Sequence, residues 1–434
     1  MAGVIVLPYI LGFRKKRHHD RERKTEAARL GIDKPTAQYP FVDAKRCIGC
    51  GACVDACPEG DVLGIVGGTA TVVNGLKCVG HGKCEEACPV GAIEVGLGDL
   101  RSREDIPLMD PWLETNVPGL FVAGELGGLA LVKNAMGQGR KVIERISQKV
   151  VSARGQAGGD VLDVAIVGTG PAGIAAAAAA HEHKLTYVAL EQEPDLGGTI
   201  FHYPRRKLVL VQAVDVPLWG QMKEAEYQKE DLLEVLLDLA RRFHLNLRFG
   251  EKVVEVRREG GVFSLRTPKG VYLSRFVVLA LGRRGTPRKL NVPGEELPKV
   301  MYQLLDAESY VGQNVLVVGG GDSAVEAALG LARQEGNRVT LSYRREKLVR
   351  IKKKNEDRIA IMMKEGRVEA IFNSEVVDIV ADKVRLKVGT QETTLPNDYV
   401  FVFAGGEPPF GFLRQIGVRF GGNEKPASVP RARV

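Results

Sequence analysis

Two stretches of this chain repeat one pattern of apolar and polar positions. Residues 161–174, VLDVAIVGTGPAGI, join an apolar run to a glycine-rich turn, and an alanine-rich stretch follows to Ala180. Residues 314–324, NVLVVGGGDSA, do the same and lead into an amphipathic segment ending near Ala332. A short apolar run bounded by glycines predicts a buried strand, and the alanine or amphipathic stretch predicts a helix packed on it. Each unit is followed by a second strand, LTYVALEQ ending near Glu191 and RVTLSYRRE from Arg338. Strand, turn, helix and strand in that order predict parallel sheets of α/β type. The segment 226–247, with Leu232, Leu233, Leu236, Leu237 and Leu239 at helical spacing, predicts a packing helix, and 126–146 carries a helical pattern of its own.

Residues 2–13, AGVIVLPYILGF, form a nearly continuous apolar run interrupted by Pro8. A spanning helix needs about 20 such residues, so the run predicts an interfacial segment or a packed cap. With the basic residues behind it, 2–24 is a candidate for peripheral contact with an anionic membrane surface.

With 434 residues, two or three domains are expected, and the composition of 44% apolar and 26% charged residues is that of a folded globular protein. The net charge of +8 is concentrated: residues 14–24 carry +5 and residues 344–354 carry +6, leaving the remainder slightly negative. A nucleic-acid binder is therefore not indicated. Fifty-one glycines exceed the usual share and point to ligand-cradling turns.

All seven cysteines lie between Cys47 and Cys88. Residues 47–58 read CIGCGACVDACP, and 78–89 read CVGHGKCEEACP, the same C-x2-C-x2-C-x3-C-P spacing with His81 in the second place. Tetrahedral zinc is the rival for such ligands; a disulfide framework is disfavoured by the odd count. The doubled run, about 40 to 98, resembles a two-[4Fe-4S] bacterial ferredoxin domain. The resemblance implies Cys47, Cys50, Cys53 and Cys88 around one cluster, and Cys57, Cys78 and Cys84 around the other, with His81 as candidate fourth ligand. An imidazole there removes a negative charge and is expected to raise that cluster's potential.

In the first glycine turn, Gly168 permits the turn, Gly170 admits a pyrophosphate and Gly173 lets helix and strand approach, while Glu191 stands where an acid accepts from ribose hydroxyls. In the second, Gly319, Gly321 and Ala324 take these places, but the following strand leads to Arg344 and Arg345, with Arg350 beyond. Cations in place of an acid suit the 2′-phosphate of NADP.

From 161 to about 418 the chain resembles two-dinucleotide flavoproteins of the thioredoxin-reductase type, carried by GTGPAG, LGG at 196–198, VVLALGRRGTPRKL, GGGDSA and SYRRE. The resemblance implies FAD at Gly168, Gly170, Pro171, Ala172, Gly173, Glu191, Gly198 and Thr199. It implies NADP(H) at Gly319, Gly321, Asp322, Ser323, Ala324, Arg344, Arg345 and Arg350. In that family the last strand, 398–406 here, is followed by a segment like TNVPGLFVAGD. This chain carries TNVPGLFVAGE at 115–125 instead, with Gly124 and Glu125 expected at the flavin. The flavin domain therefore resembles a circular permutant, with 155–160 as linker.

The expected organisation is an apolar and basic segment at 1–39, a ferredoxin domain at 40–98, and a permuted closing strand and helix at 107–150. An FAD domain at 161–290, an NAD(P)H domain at 291–397, a return to the FAD domain at 398–418 and a mobile tail at 419–434 follow. The fold class is α/β, with two Rossmann-like dinucleotide-binding domains and an α+β bacterial-ferredoxin domain. The cysteine pairs that thioredoxin and glutathione reductases use are missing, which places the chain in the dithiol-free branch with ferredoxin–NADP and bacillithiol disulfide reductases. The expected function is electron transfer between NADPH, FAD, two [4Fe-4S] clusters and a protein or membrane-bound redox partner, with no side chain acting as catalytic acid or base. The alternatives are a low-molecular-weight disulfide reductase and an electron-transfer subunit with a regulatory nucleotide site. A homodimer is expected, in the cytoplasm or at the inner face of the cytoplasmic membrane.

Overall fold

The computed structural model describes the backbone of residues 2–33, 38–129, 131–153, 161–211, 213–222, 224, 226–283 and 286–422. The side chains of 2–14, 16, 151–153 and 210 fall outside that description, as do the expected linker 155–160 and the tail from 423. The chain forms two units, one of Met1–Gly98 with Pro287–Gly405 and one of Asp99–Thr286 with Gly406–Val434.

The first unit begins with a helix, Ala2–Leu30, which runs on through Pro8 where the sequence predicts a break. A proline forfeits one backbone donor, and here the helix continues on both sides of it. Asp20, 2% exposed, accepts from Ile65 N at 2.8 Å, and Arg23 reaches Asp20 and the Asp61 carbonyl. These residues of the basic stretch dock on the cysteine-bearing domain. Among the described residues no helix is long and apolar enough to cross a membrane.

The cysteine-bearing domain has two antiparallel pairs, Tyr39–Val42 with Ile93–Gly96 and Leu63–Val66 with Thr69–Val72. Two one-turn helices, Ala52–Asp55 and Lys83–Glu86, follow Gly51 and Gly82, whose φ angles of 85° and 81° favour glycine. Duplicated cysteine spacing thus becomes duplicated backbone.

In the same unit five parallel strands run in the order Val300–Met301, Tyr399–Val402, Asn314–Val318, Arg338–Tyr343 and Val368–Phe372. Both faces are covered, as the unbroken apolar runs require. Val315, Val317, Leu341 and Phe401 pack with the helix Asp322–Ala332, while Leu316, Val400 and Val402 pack with Ile379, Val384 and Leu386 of an antiparallel sheet, Ser374–Ile379, Lys383–Val388 and Gln391–Pro396.

The second unit is built on a seven-stranded sheet. Its main path is Leu247–Arg248, Tyr187–Leu190, Leu162–Val167, Gly270–Leu279, Val262–Thr267 and Glu255–Glu259. The strand Leu120–Val122 joins parallel to Gly270–Leu279, with Leu120, Phe121 and Val122 opposite Val277, Val278 and Leu279. The helix Val132–Ala153 lies against Pro171–Glu182, close enough that a Cβ on Gly139 would fall 2.1 Å from the Ala172 carbonyl oxygen. The segment ahead of the first glycine turn therefore completes the sheet that the turn belongs to.

The packing helix is Lys229–Arg242, with Leu232, Leu236 and Leu239 buried and Leu233 and Leu237 beside them. Residues 419–422, expected to begin the tail, are tied down: Leu108 N donates to Arg419 O, Arg419 N to Asn116 Oδ1, and Gly422 N to Arg101 O.

Candidate functional site

The cysteines pack around one small core, in which Cys53 and Cys84 are buried and Cys47, Cys57, Cys78 and Cys88 are partly buried. Cys50 is exposed. Cys57, Cys78, Cys84 and His81 line a single small cavity, partly open to solvent, together with Glu59 and Gly80. The four residues expected at the second cluster are thus brought together. Among the described residues no three His, Cys, Asp or Glu side chains are drawn close enough for a single metal ion. The donor set, seven thiols and one imidazole in two alternating runs, fits iron–sulfur clusters.

Burial pushes the Cys53 thiol up to about 11, with Cys84, Cys47 and Cys50 adding their charge. Cys78 and Cys84 are likewise pushed to about 11 by burial, and Cys57 is raised for the same reason, with Glu59 adding to Cys57 and Cys78. Such thiols stay protonated until a metal compensates the charge of the thiolate. Burial also opposes the Cys88 thiolate, but the backbone N–H groups of Ala92, Val90, Ile93 and Gly91 outweigh it and lower this thiol. Ala92 N donates to Cys88 Sγ at 3.1 Å and Ala70 N to Cys47 Sγ at 3.3 Å. His81 Nε2 lies 3.0 Å from Glu59 Oε1.

At the first glycine turn, Gly168 has φ 102°, and a side chain there would meet the Ala280 carbonyl oxygen at 2.5 Å. A Cβ on Gly173 would lie 1.8 Å from the Gly168 carbonyl oxygen, so the helix meets the turn where only glycine fits. Gly170 precedes the helix Pro171–Glu182, with Pro171 at its first position, where the missing N–H costs no intrahelical bond. Gly198 backs onto Gly170, and Gly124 onto Ala172, with hypothetical Cβ atoms 3.1 Å from each. Thr199 follows in the short turn Gly198–Ile200, and Glu125 opens another at Glu125–Gly127.

Glu191 is 4% exposed. Its Oε2 accepts from Thr169 N at 2.7 Å and Thr169 Oγ1 at 2.9 Å, and its Oε1 from Glu193 N at 3.1 Å. Gln138, which the sequence did not single out, accepts from Gly124 N at 2.7 Å and so ties the strand Leu120–Val122 to its own helix. The glycine cradle and the buried acid fit a dinucleotide.

At the second turn a Cβ on Gly319 would fall 2.5 Å from the Phe403 carbonyl oxygen, while Gly321 faces open space. Ser323 is exposed and Ala324 buried on the helix Asp322–Ala332. Asp322 turns to the chain beyond: its Oδ1 accepts from Lys352 N at 2.9 Å and Asn355 Nδ2 at 2.7 Å. Arg344 is exposed, with no hydrogen bond or ion pair among the described residues. Arg345, expected beside it, instead donates from Nη1 to Leu30 O at 3.1 Å, at the C-terminus of the N-terminal helix. Arg350 is exposed further on.

Comparison with known proteins agrees with this geometry. Residues 165–431 match the family described as pyridine nucleotide-disulphide oxidoreductase, and residues 39–89 match a 4Fe-4S dicluster domain. The chain is 30% identical over 270 residues to a ferredoxin–NADP reductase of Ignicoccus hospitalis, covering 60% of this chain and 83% of that protein. It is 28% identical over 259 residues to the bacilliredoxin reductase of Bacillus subtilis, covering 58% and 79%. A solved bacillithiol disulfide reductase from Staphylococcus aureus superposes with a TM-score of 0.55 at 28% identity, over 61% of this chain and 83% of that one. The zinc alternative gives way to iron–sulfur chemistry at the cysteines. This chain belongs to the pyridine nucleotide-disulphide oxidoreductase family, as an NAD(P)H-dependent flavin oxidoreductase with an iron–sulfur domain.

Proposed function

We propose that this enzyme passes electrons between NADPH and two [4Fe-4S] clusters by way of FAD, and through the clusters to a protein or membrane-bound redox partner. The observation that carries this reading is the placement of cysteine: all seven lie between Cys47 and Cys88 and none from 89 to 434, so neither dinucleotide turn has a thiol pair beside it. A nicotinamide yields a hydride pair, a cluster takes single electrons and a flavin exchanges both, which is the chemistry these groups supply when bound.

The chain's own residues bind and orient. Gly168, Gly170, Pro171, Ala172 and Gly173 present the helix N-terminus to the FAD pyrophosphate, and Glu191 accepts from its ribose. Gly198, Thr199, Gly124 and Glu125 close the same cradle. Gly319, Gly321, Ser323 and Ala324 do the corresponding work for NADPH, with Arg344 on the 2′-phosphate. Cys47, Cys50, Cys53 and Cys88 hold one cluster; Cys57, Cys78, Cys84 and His81 hold the second.

Anaerobic rapid mixing with NADPH and NADH separately, recording flavin and cluster absorbance in time, tests the reading. NADPH is expected to bleach both, the flavin first, and NADH to react far more slowly. Clusters that stay oxidised beside a bleached flavin would defeat the route. The likeness to bacilliredoxin and bacillithiol disulfide reductases favours a second reading, reduction of a low-molecular-weight disulfide. NADPH-driven turnover of such a disulfide by protein stripped of its clusters would support it over the first.

A further inference from the structure

Glu59 stands two residues beyond Cys57, past the Pro58 that ends the first cysteine run, and its side chain is only 8% exposed. A carboxylate buried to that degree needs partners to offset its lost hydration. It has His81 Nε2 at 3.0 Å and Lys352 Nζ at 3.9 Å. His81 is itself 12% exposed, and both residues line the cavity that Cys57, Cys78 and Cys84 share.

The two cysteine runs differ at one ligand position. The first carries the exposed Cys50, and the second carries His81 with a buried carboxylate behind it. A thiolate has charge and lone pairs in every direction. A neutral imidazole offers one lone pair, and the proton on its other nitrogen needs an acceptor that fixes tautomer and ring orientation. With Nε2–H donated to Glu59, iron ligation from this ring runs through Nδ1.

We propose that Glu59 is a positioning residue that holds His81 as an Nδ1 ligand of the second cluster and restores, one hydrogen bond away, the negative charge lost when imidazole replaces thiolate. Lys352 partly offsets that charge. Its own backbone N–H is bonded to Asp322 at the start of the second turn's helix, so the cation beside Glu59 is anchored to the dinucleotide turn. The inference rests on the reading that the 78–88 run holds a cluster.

The test uses reduced holoprotein labelled with 15N-histidine, pulsed EPR for nitrogen coupling, and a redox titration of the second cluster, in wild type, Glu59→Gln, Glu59→Ala and His81→Cys. Iron and sulfide content are measured for each. The expected wild-type spectrum has a histidine-nitrogen coupling that His81→Cys abolishes while lowering the midpoint. Glu59→Gln keeps an acceptor for Nε2–H, so the coupling survives and the midpoint rises. Glu59→Ala removes the acceptor, and the coupling weakens or is lost.

A Glu59→Ala protein with unchanged coupling and midpoint would overturn the role of Glu59 and leave His81 as ligand. No histidine coupling in wild type would overturn both, while a wild type without a second cluster would overturn the underlying reading. Should Glu59→Ala fail to assemble, the Glu59→Gln midpoint decides: no rise sinks the proposal.

Discussion

The two glycine turns follow one plan and differ in what the neighbouring strand delivers to them. Gly168 N donates to Leu190 O, and Gly319 N donates to Ser342 O, so the residue after each acceptor, Glu191 in one turn and Tyr343 in the other, holds the equivalent place. In the first turn the acid is drawn in under Thr169. In the second a ring takes the place: a Cβ on Gly320 would lie 2.2 Å from a ring carbon of Tyr343. The first charged group past the strand Arg338–Tyr343 is Arg344, exposed to solvent. A buried acid, fixed by Thr169 and Glu193 with one lone pair of Oε1 left for a hydroxyl, suits a ligand that is held permanently. An exposed cation beside an open turn suits a phosphate-bearing ligand that comes and goes.

The third glycine of each turn gives the largest expected effect. That position is Gly173 in the first turn and Ala324 in the second, where a methyl group is already buried. A methyl on Gly173 would lie 1.8 Å from a carbonyl oxygen of the turn, so helix and strand must separate, at about 1–3 kcal/mol or more. Gly173→Ala is expected to purify with most of its flavin lost, while Ala324→Gly keeps both flavin and NADPH affinity within a few-fold. Flavin content and an NADPH titration check this, and a fully yellow Gly173→Ala protein would show the first turn to be no tighter than the second.

Arg344 gives the next effect. If the exposed guanidinium grips the 2′-phosphate, Arg344→Glu loses a charge-assisted contact and puts a like charge beside the phosphate, raising KM for NADPH by about 10- to 100-fold. KM for NADH should stay nearly unchanged and flavin content should not move. Equal losses with both nucleotides would remove Arg344 from phosphate recognition.

Much of this contrast is legible in the sequence. The cysteine runs announce an iron–sulfur domain by their spacing, while the sharing of ligands between clusters is what the ferredoxin resemblance implies, and the turns are legible because glycine is demanded by close approach. The strand Leu120–Val122 is readable only by its likeness to a segment expected at the other end of the chain, since three apolar residues have no periodicity to measure. What escapes is what depends on contacts distant in sequence. Tyr343 looks like one more strand residue until backbone register gives it, in the second turn, the place that Glu191 holds in the first. Glu59 reads as a solvated acid after a proline until His81, 22 residues on, folds against it. Counting residues past the strand also treats Arg344 and Arg345 as equivalent, although in the bend that follows it Arg344 is exposed and Arg345 turns to Leu30 O.

That last distinction gives the smallest effect. Arg345 Nη1 donates to Leu30 O, a carbonyl left without an intrahelical partner at the end of Ala2–Leu30, where a cation also meets the negative end of the helix dipole. A cation so placed contributes about 0.3–1 kcal/mol, or about 1 to 4 °C in the melting of a unit this size. Arg345→Ala is therefore expected to lower the melting temperature slightly while KM for NADPH stays within about two-fold, because this guanidinium serves the helix end and its neighbour serves the phosphate. The measurement is a pair, thermal melting and KM on the same sample. If KM rises as far as in Arg344→Glu while melting is unchanged, both arginines turn to the nucleotide, and the second turn grips a phosphate with a fork of two cations while the first holds a ribose with a single acid.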